Sequence, residues 1–268
     1  MSRKPVADRL CSVLVGLLLT ARGSLLTGQE PPRYDPGALA CAAFQEEVRT
    51  SVAARRGMDG WQERGIRTGI LVVHALPGAA RFDFEAWYDS LAVSWHGRDD
   101  LIHPDTDGLV GGRWRGSIAP HGEVVLAERP FIPPGLRAVS DLSDALLDFF
   151  PPLPTTALSP GGRWTDSLGL EIERLGDSAA SDETLERYRW RIRTEGSPAA
   201  PDTTVRLRQD IHDEGLVAWS RRRGPIIWRR EITVQARIDP ARGPRSPVQS
   251  RVTQEIFVQR LAGSHRCS

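Results

Sequence analysis

The sequence predicts a mainly β protein of α+β character: a long, curved antiparallel sheet or half-barrel with one or two helices packed on its concave face. Three observations carry that prediction. The second half of the chain alternates apolar residues with arginine in run after run, the period of a sheet with one wet face. Turn signals separate the runs at short, regular intervals, which joins neighbours antiparallel. Two stretches read as helices: 136–150 spaces its apolar residues by three and four, the period of a helix, and 37–56 is alanine-rich with its apolar residues near one face.

Taken in order, residues 37–56 are alanine-rich, with Leu39, Ala43, Val48 and Val52 near one face and Glu46, Glu47 and Arg49 outside. This predicts an N-terminal helix that stops at Gly57. The β-branched run 65–75 predicts a strand, and Pro77-Gly78 a turn. Residues 81–95 alternate, then swap faces, which predicts a long bent or bulged strand. Residues 96–108 form a polar loop. Strands follow at 109–119 and 123–128. Leu136, Val139, Leu142, Leu146, Phe149 and Phe150 predict a central helix over 136–150, opened by a Ser140 cap and stopped by Pro151-Pro152.

The strand pattern resumes at 163–175 and continues at 185–194, 203–211, 216–220, 226–238 and 248–261. Tyr188, Trp190 and Ile192 alternate there with Arg187, Arg189, Arg191 and Arg193. Gly176-Asp177, Asp213-Glu214-Gly215 and Gly224-Pro225 read as turns between these runs. Gly-Gly-Arg-Trp occurs twice, at 111–114 and 161–164.

Composition bounds the function. The chain has 268 residues, 40% hydrophobic and 26% charged, with a formal net charge of +1. No global field steers it to nucleic acid. Its only lysine is Lys4, which excludes a P-loop, a Schiff-base lysine and a Ser-Lys dyad beyond the first residues. Residues 1–28 read as a signal peptide: Arg3, Lys4 and Arg9 precede the apolar run 10–21, which is too short to span a bilayer. The rest, 29–268, reads as a single β-rich domain without a transmembrane segment, exported to the periplasm or the extracellular space. Beyond the leader only Cys41 and Cys267 remain, and in an oxidising compartment they are expected to pair.

Candidate chemistry is sparse. His96, Asp99, Asp100, His103, Asp105 and Asp107 offer imidazole and carboxylate ligands of the kind that hold zinc, manganese or calcium. Their spacing matches no metal frame, and Asp-Thr-Asp-Gly is ordinary turn chemistry, so a solvated loop is preferred over a metal site. No Gly-x-Ser-x-Gly occurs. His212 beside Asp210 and Asp213 points to no specific base. The arginines around Ser220 to Arg223 read as a hairpin tip. Leu142, Leu146, Phe149, Phe150, Trp164 and Trp190 are the candidate lining of an apolar pocket, set against their reading as ordinary core. No catalytic residue and no cofactor is expected.

The stretch Phe150-Pro151-Pro152-Leu153-Pro154, followed by Pro160-Gly161-Gly162-Arg163-Trp164, resembles uncharacterised families of exported bacterial β-rich proteins. These pair a proline-rich break with a Pro-Gly-x-x-Trp strand start. More loosely, the strand order resembles the lipoprotein-carrier (Lol-type) half-barrels of the bacterial envelope, in which a curved sheet wraps helices and holds acyl chains. That resemblance implies a non-catalytic envelope or periplasmic binding or scaffold protein, with a lipid or other apolar ligand in the concavity of the sheet, or an envelope protein as partner. The alternatives are a secreted metal-assisted hydrolase using the 96–107 loop and a protein-interaction module.

Overall fold

The computed structural model describes residues 30–78, 80–97, 100–140, 142–180, 183–196, 205–240, 246–263 and 267. The leader-like stretch 1–28 lies outside them. The strands are β1 (Ala42–Arg56), β2 (Asp59–Leu76), β3 (Phe82–His96), β4 (Leu101–Ile102), β5 (Trp114–Ile118) and β6 (Val124–Glu128). They continue as β7 (Arg163–Thr165), β8 (Glu171–Ala180), β9 (Glu183–Gly196), β10 (Val205–Ser220), β11 (Gly224–Pro240) and β12 (Val248–Arg260). They form one sheet in the order β6-β5-β3-β2-β1-β12-β11-β10-β9-β8-β7, with β4 paired to β3. The pairings are antiparallel, so the chain is mainly β, as its alternation predicts.

The helices are the chief correction. Residues 42–56 are not helical; they form β1, paired along its length to β2 on one side and β12 on the other. Alanine content favours a helix locally, but two long neighbouring strands offer this segment a full ladder on both edges, and tertiary pairing overrides propensity. Residues 136–150 hold only the one-turn helix α1 (Pro134–Arg137). Beyond it the backbone runs in turns closed by three-residue bonds, such as Leu147 N–H to Asp144 O at 2.9 Å and Phe149 N–H to Leu146 O at 3.4 Å. Flanking prolines at 130, 133, 134, 151 and 152 leave little length over which a helix can propagate. Ser140 does not cap a helix; its Oγ accepts from Arg67 at 3.5 Å, and Asp141 lies outside the described residues.

A second correction joins two predicted strands. Residues 205–220 are continuous through Asp213-Glu214-Gly215, paired to β9 and β11 across the expected turn. Gly215 is there for space: a Cβ on it would lie 2.1 Å from the Trp190 ring. The face swap expected in 81–95 is a register shift, opposite Ile70/Leu71 of β2.

Paired residues share a face, and alternation along β1 separates the two. Phe44, Glu46 and Val48 face the core, while Gln45 and Arg49 are exposed. The segment 130–158 packs on the inner face. Phe149 meets Phe44 at 5.6 Å and Trp228 at 5.1 Å between ring centroids, and Phe150 meets Tyr34 at 5.5 Å. The Tyr34 hydroxyl donates to Pro151 O at 2.8 Å, which fixes the proline break against the N-terminal segment. So the 142–150 side chains do cover the sheet, on turns instead of a helix.

The two Gly-Gly-Arg-Trp motifs share a local geometry. Gly111 and Gly161 have φ of 79° and 78°, and each leads into a strand next to the edge or at it. Gly111 N–H donates to Tyr88 O and Gly161 N–H to Arg174 O. The arginine then pairs with a glutamate of the adjacent strand, Arg113 with Glu85 at 2.7 Å and Arg163 with Glu173 at 3.6 Å.

Candidate functional site

The inner face divides into a covered and an uncovered half. Leu142, Leu146, Phe149, Phe150 and Trp190 are all buried in the covered half, with Trp164 partly buried against the same cluster. Edge-on contacts among Phe44, Phe149, Phe150 and Trp228 fill this region with ring against ring. Spacing alone puts these residues together; the structure shows them as a packed core.

Beyond that core the inner face carries no covering segment among the described residues. Val52, Val252, Val234 and Ile211 pair directly across β1, β12, β11 and β10 and form a half-buried apolar strip. Ile232 and Ile192 extend it on the core side, and Val248, Ile238 and Leu207 on the other. Alternation dictates this: the strands continue past the covering segment, and their inward positions stay apolar.

Between the two halves lies a cavity of about 300 Å³, walled by Val48, Val93, Trp95 and Val139. It is roofed by residues 137–140 after α1, and Thr50 and Gln254, paired on adjacent strands, border it toward the strip. Gly65 makes room: a Cβ there would sit 2.4 Å from the Trp95 ring, so the indole lies flat over the β2 backbone. Arg137, exposed, stands at its mouth and donates to Ile132 O at 3.3 Å.

The closed end is polar. Arg67 lines the cavity and pairs with Glu46 at 2.9 Å, the two being 8% and 2% exposed. The Tyr88 hydroxyl donates to the other Glu46 oxygen at 2.6 Å. Burial pushes the Tyr88 phenol well above its ordinary pKa, helped by the Glu46 charge and opposed by Arg67, so it stays a donor. A second such group stands across the sheet: Tyr188 donates to Glu186 at 2.5 Å, and Glu186 lies 3.7 Å from Arg174 and 2.7 Å from Arg221. The Glu46–Arg67–Tyr88 group is hidden in the sequence, because the helix that residues 37–56 predict puts Glu46 outside. Its one signal was a glutamate two residues from Phe44 and Val48 in strand alternation.

The described residues of the 96–107 loop bring no three candidate ligands together. His96 ends β3, Asp99 lies outside the described residues, and Gly97 N–H bonds Asp100 O at 2.9 Å. Asp105 Oδ1 accepts from Asp107 N–H at 2.9 Å, an Asx turn. Among the described residues, the group of His, Cys, Asp and Glu close enough to hold a metal is Cys41, His74 and Cys267, so His96, Asp100, His103, Asp105 and Asp107 form no such set. Cys41 and Cys267 are joined as a disulfide with Cα atoms 5.6 Å apart, and His74 Nδ1 lies 3.5 Å from the Cys41 sulfur. His212 sits 3.5 Å from Asp210 on the exposed face. No helix of the described residues is long and apolar enough to cross a membrane.

No family model matches the chain, and no curated protein matches it. Among solved structures it is similar to a DUF1329 family protein from Desulfovibrio piger, at 11% identity over 84% of this chain and 87% of that one, with a TM-score of 0.19. It is also similar to a domain named for outer membrane lipoprotein sorting from Vibrio parahaemolyticus, at 8% identity over 83% of this chain and 87% of that one, with a TM-score of 0.15. No activity is carried across from either.

Proposed function

We propose that this chain is an exported, non-catalytic binding protein that seats an apolar, acyl-chain ligand on the inner face of its sheet. One observation carries the reading: a cavity under residues 137–140, walled by Val48, Val93, Trp95 and Val139 on one part and by Thr50, Arg67, Ser94 and Gln254 on the other, adjoins the apolar strip Val52–Val252–Val234–Ile211. About 300 Å³ is at the small end of ligand pockets. It suits one chain end inserted past Val139, with the rest lying along the strip. Arg137 at the mouth is placed for an anionic headgroup. Export is supported by the leader-like residues 1–28 and by the disulfide. A protein partner on the same strip is the competing occupant.

The test is native mass spectrometry of the purified chain, with solvent extraction, beside titration with a fluorescent fatty acid. Wild type is expected to carry extractable acyl species and to bind the probe. Val139→Trp, which fills the cavity, should lose the probe while keeping its melting temperature. If wild type binds no probe after delipidation, or Val139→Trp binds it as well as wild type, the reading fails.

A further inference from the structure

On the face opposite the core lies a groove of about 1240 Å³. It crosses six strands, β2, β1, β12, β11, β10 and β9, a span of about 24 Å at ordinary strand spacing. Two outward rows line it. One holds Gln62, Ala53, Arg251 and Gln235, ending at Asp210 and Glu195; the other holds Arg55, Gln249, Arg237 and Arg208. That these face away from the core follows from alternation, since Val52 and Ala54 face inward and Ala53 and Arg55 do not.

The charges are not balanced within the groove. Asp210 and Glu195 both pair with Arg193, at 3.1 and 2.8 Å, which offsets one of the two negative charges at that end. Arg237 is taken by Asp239 at 2.8 Å. Arg55 donates to the Gln249 amide oxygen at 3.1 Å and, like Arg208 and Arg251, has no carboxylate partner among the described residues. Three guanidiniums are thus left around amide side chains.

We propose that this groove binds an acidic glycan. Guanidinium forks match carboxylate and sulfate groups in two-point contacts. The amides of Gln62, Gln235 and Gln249 both donate and accept, as sugar hydroxyls require. Trp61, the aromatic residue of the groove's lining, pairs with Ala54 on the row between these two. A single ring gives successive bases no stacking platform, which disfavours single-stranded nucleic acid. The site is separate from the proposed acyl site, which lies on the other face.

Calorimetry with the full chain tests it, using an oligogalacturonate, dextran sulfate, uncharged dextran and single-stranded DNA as probes. At least one of the two acidic glycans is expected to bind, and to release in high salt; which one binds tighter identifies the acid group. Arg208→Glu with Arg251→Glu should weaken binding by about tenfold or more. Arg163→Glu, an exposed change on the edge strand β7, should leave it unchanged. The proposal is overturned if neither acidic glycan binds, if DNA binds as tightly, or if the double variant, folded by circular dichroism, binds like Arg163→Glu.

Discussion

Tyr88 and Glu46 meet in the middle of the sheet, hydroxyl to carboxylate at 2.6 Å, although β3 and β1 are separated by all of β2. Arg67 on the intervening strand completes the bridge at 2.9 Å. Three charged or polar groups thus lie between the core and the cavity, linked through Glu46. A buried pair of this kind costs desolvation that its attraction barely offsets, but a broken pair leaves a bare charge. Arg67→Met is therefore expected to lose about 3–5 kcal/mol in urea unfolding. The double change Arg67→Met with Glu46→Leu should recover most of that loss. A double variant as unstable as the single one would mean that the pair itself holds the fold.

Acid should weaken the β3–β5 pairing. The hydrogen bond from Arg115 chiefly, with the nearby Arg113 charge, holds the Glu85 carboxyl below its ordinary range, against a smaller opposing effect of burial. A depressed carboxylate stabilises fully above the unfolded-state value, and that contribution fades as pH falls through the folded-state value. Glu85→Gln should thus be less stable than wild type at neutral pH, and the gap should narrow once pH falls below the ordinary glutamate value of about 4.3. Urea midpoints measured from neutral pH downward check this; a gap that stays constant with pH would contradict it.

Gly215→Ala tests why β10 runs through what looks like a turn. The added methyl would meet the Trp190 ring at 2.1 Å, so either the indole or the strand must move. A cost of about 1–3 kcal/mol is expected from overpacking. Tryptophan fluorescence should shift with it, because Trp190 is buried beside that position. Trp190→Leu combined with Gly215→Ala should remove the clash and part of the cost.

These positions show what could be read from residues alone. Alternation in 185–194 and 226–238 announces strands because one face is apolar and the other carries arginine, a purely local signal. The Cys41–Cys267 bond was legible by count and compartment. Residues 42–56 were not legible, because their strand state depends on β12, some two hundred residues away, and local composition says alanine helix. Asp213-Glu214-Gly215 looked like a turn because the reason for Gly215 sits on the neighbouring strand. Leu142, Leu146, Phe149 and Phe150 lie in the buried core, and spacing cannot say whether a face is filled. That depends on Phe44 and Trp228, which arrive from β1 and β11.

The disulfide closes a loop of sequence separation 226 at the end of the β1–β12 seam. On the chain-entropy model, restricting the unfolded chain in this way is worth about 4–5 kcal/mol at most. The seam itself does not depend on the bond: β1 and β12 pair without a break from Phe44↔Arg260 to Arg56↔Val248. Arg260 adds a hydrogen bond to Ala38 O at 2.7 Å, and Leu261 N–H one to Ala43 O at 2.9 Å. Cys41→Ser with Cys267→Ser should therefore melt at a lower temperature yet keep the wild-type far-UV circular dichroism at 25 °C. The two single changes should behave like the double, since each breaks the same bond. Loss of β signal in the double variant at that temperature would show that the seam needs its covalent clasp.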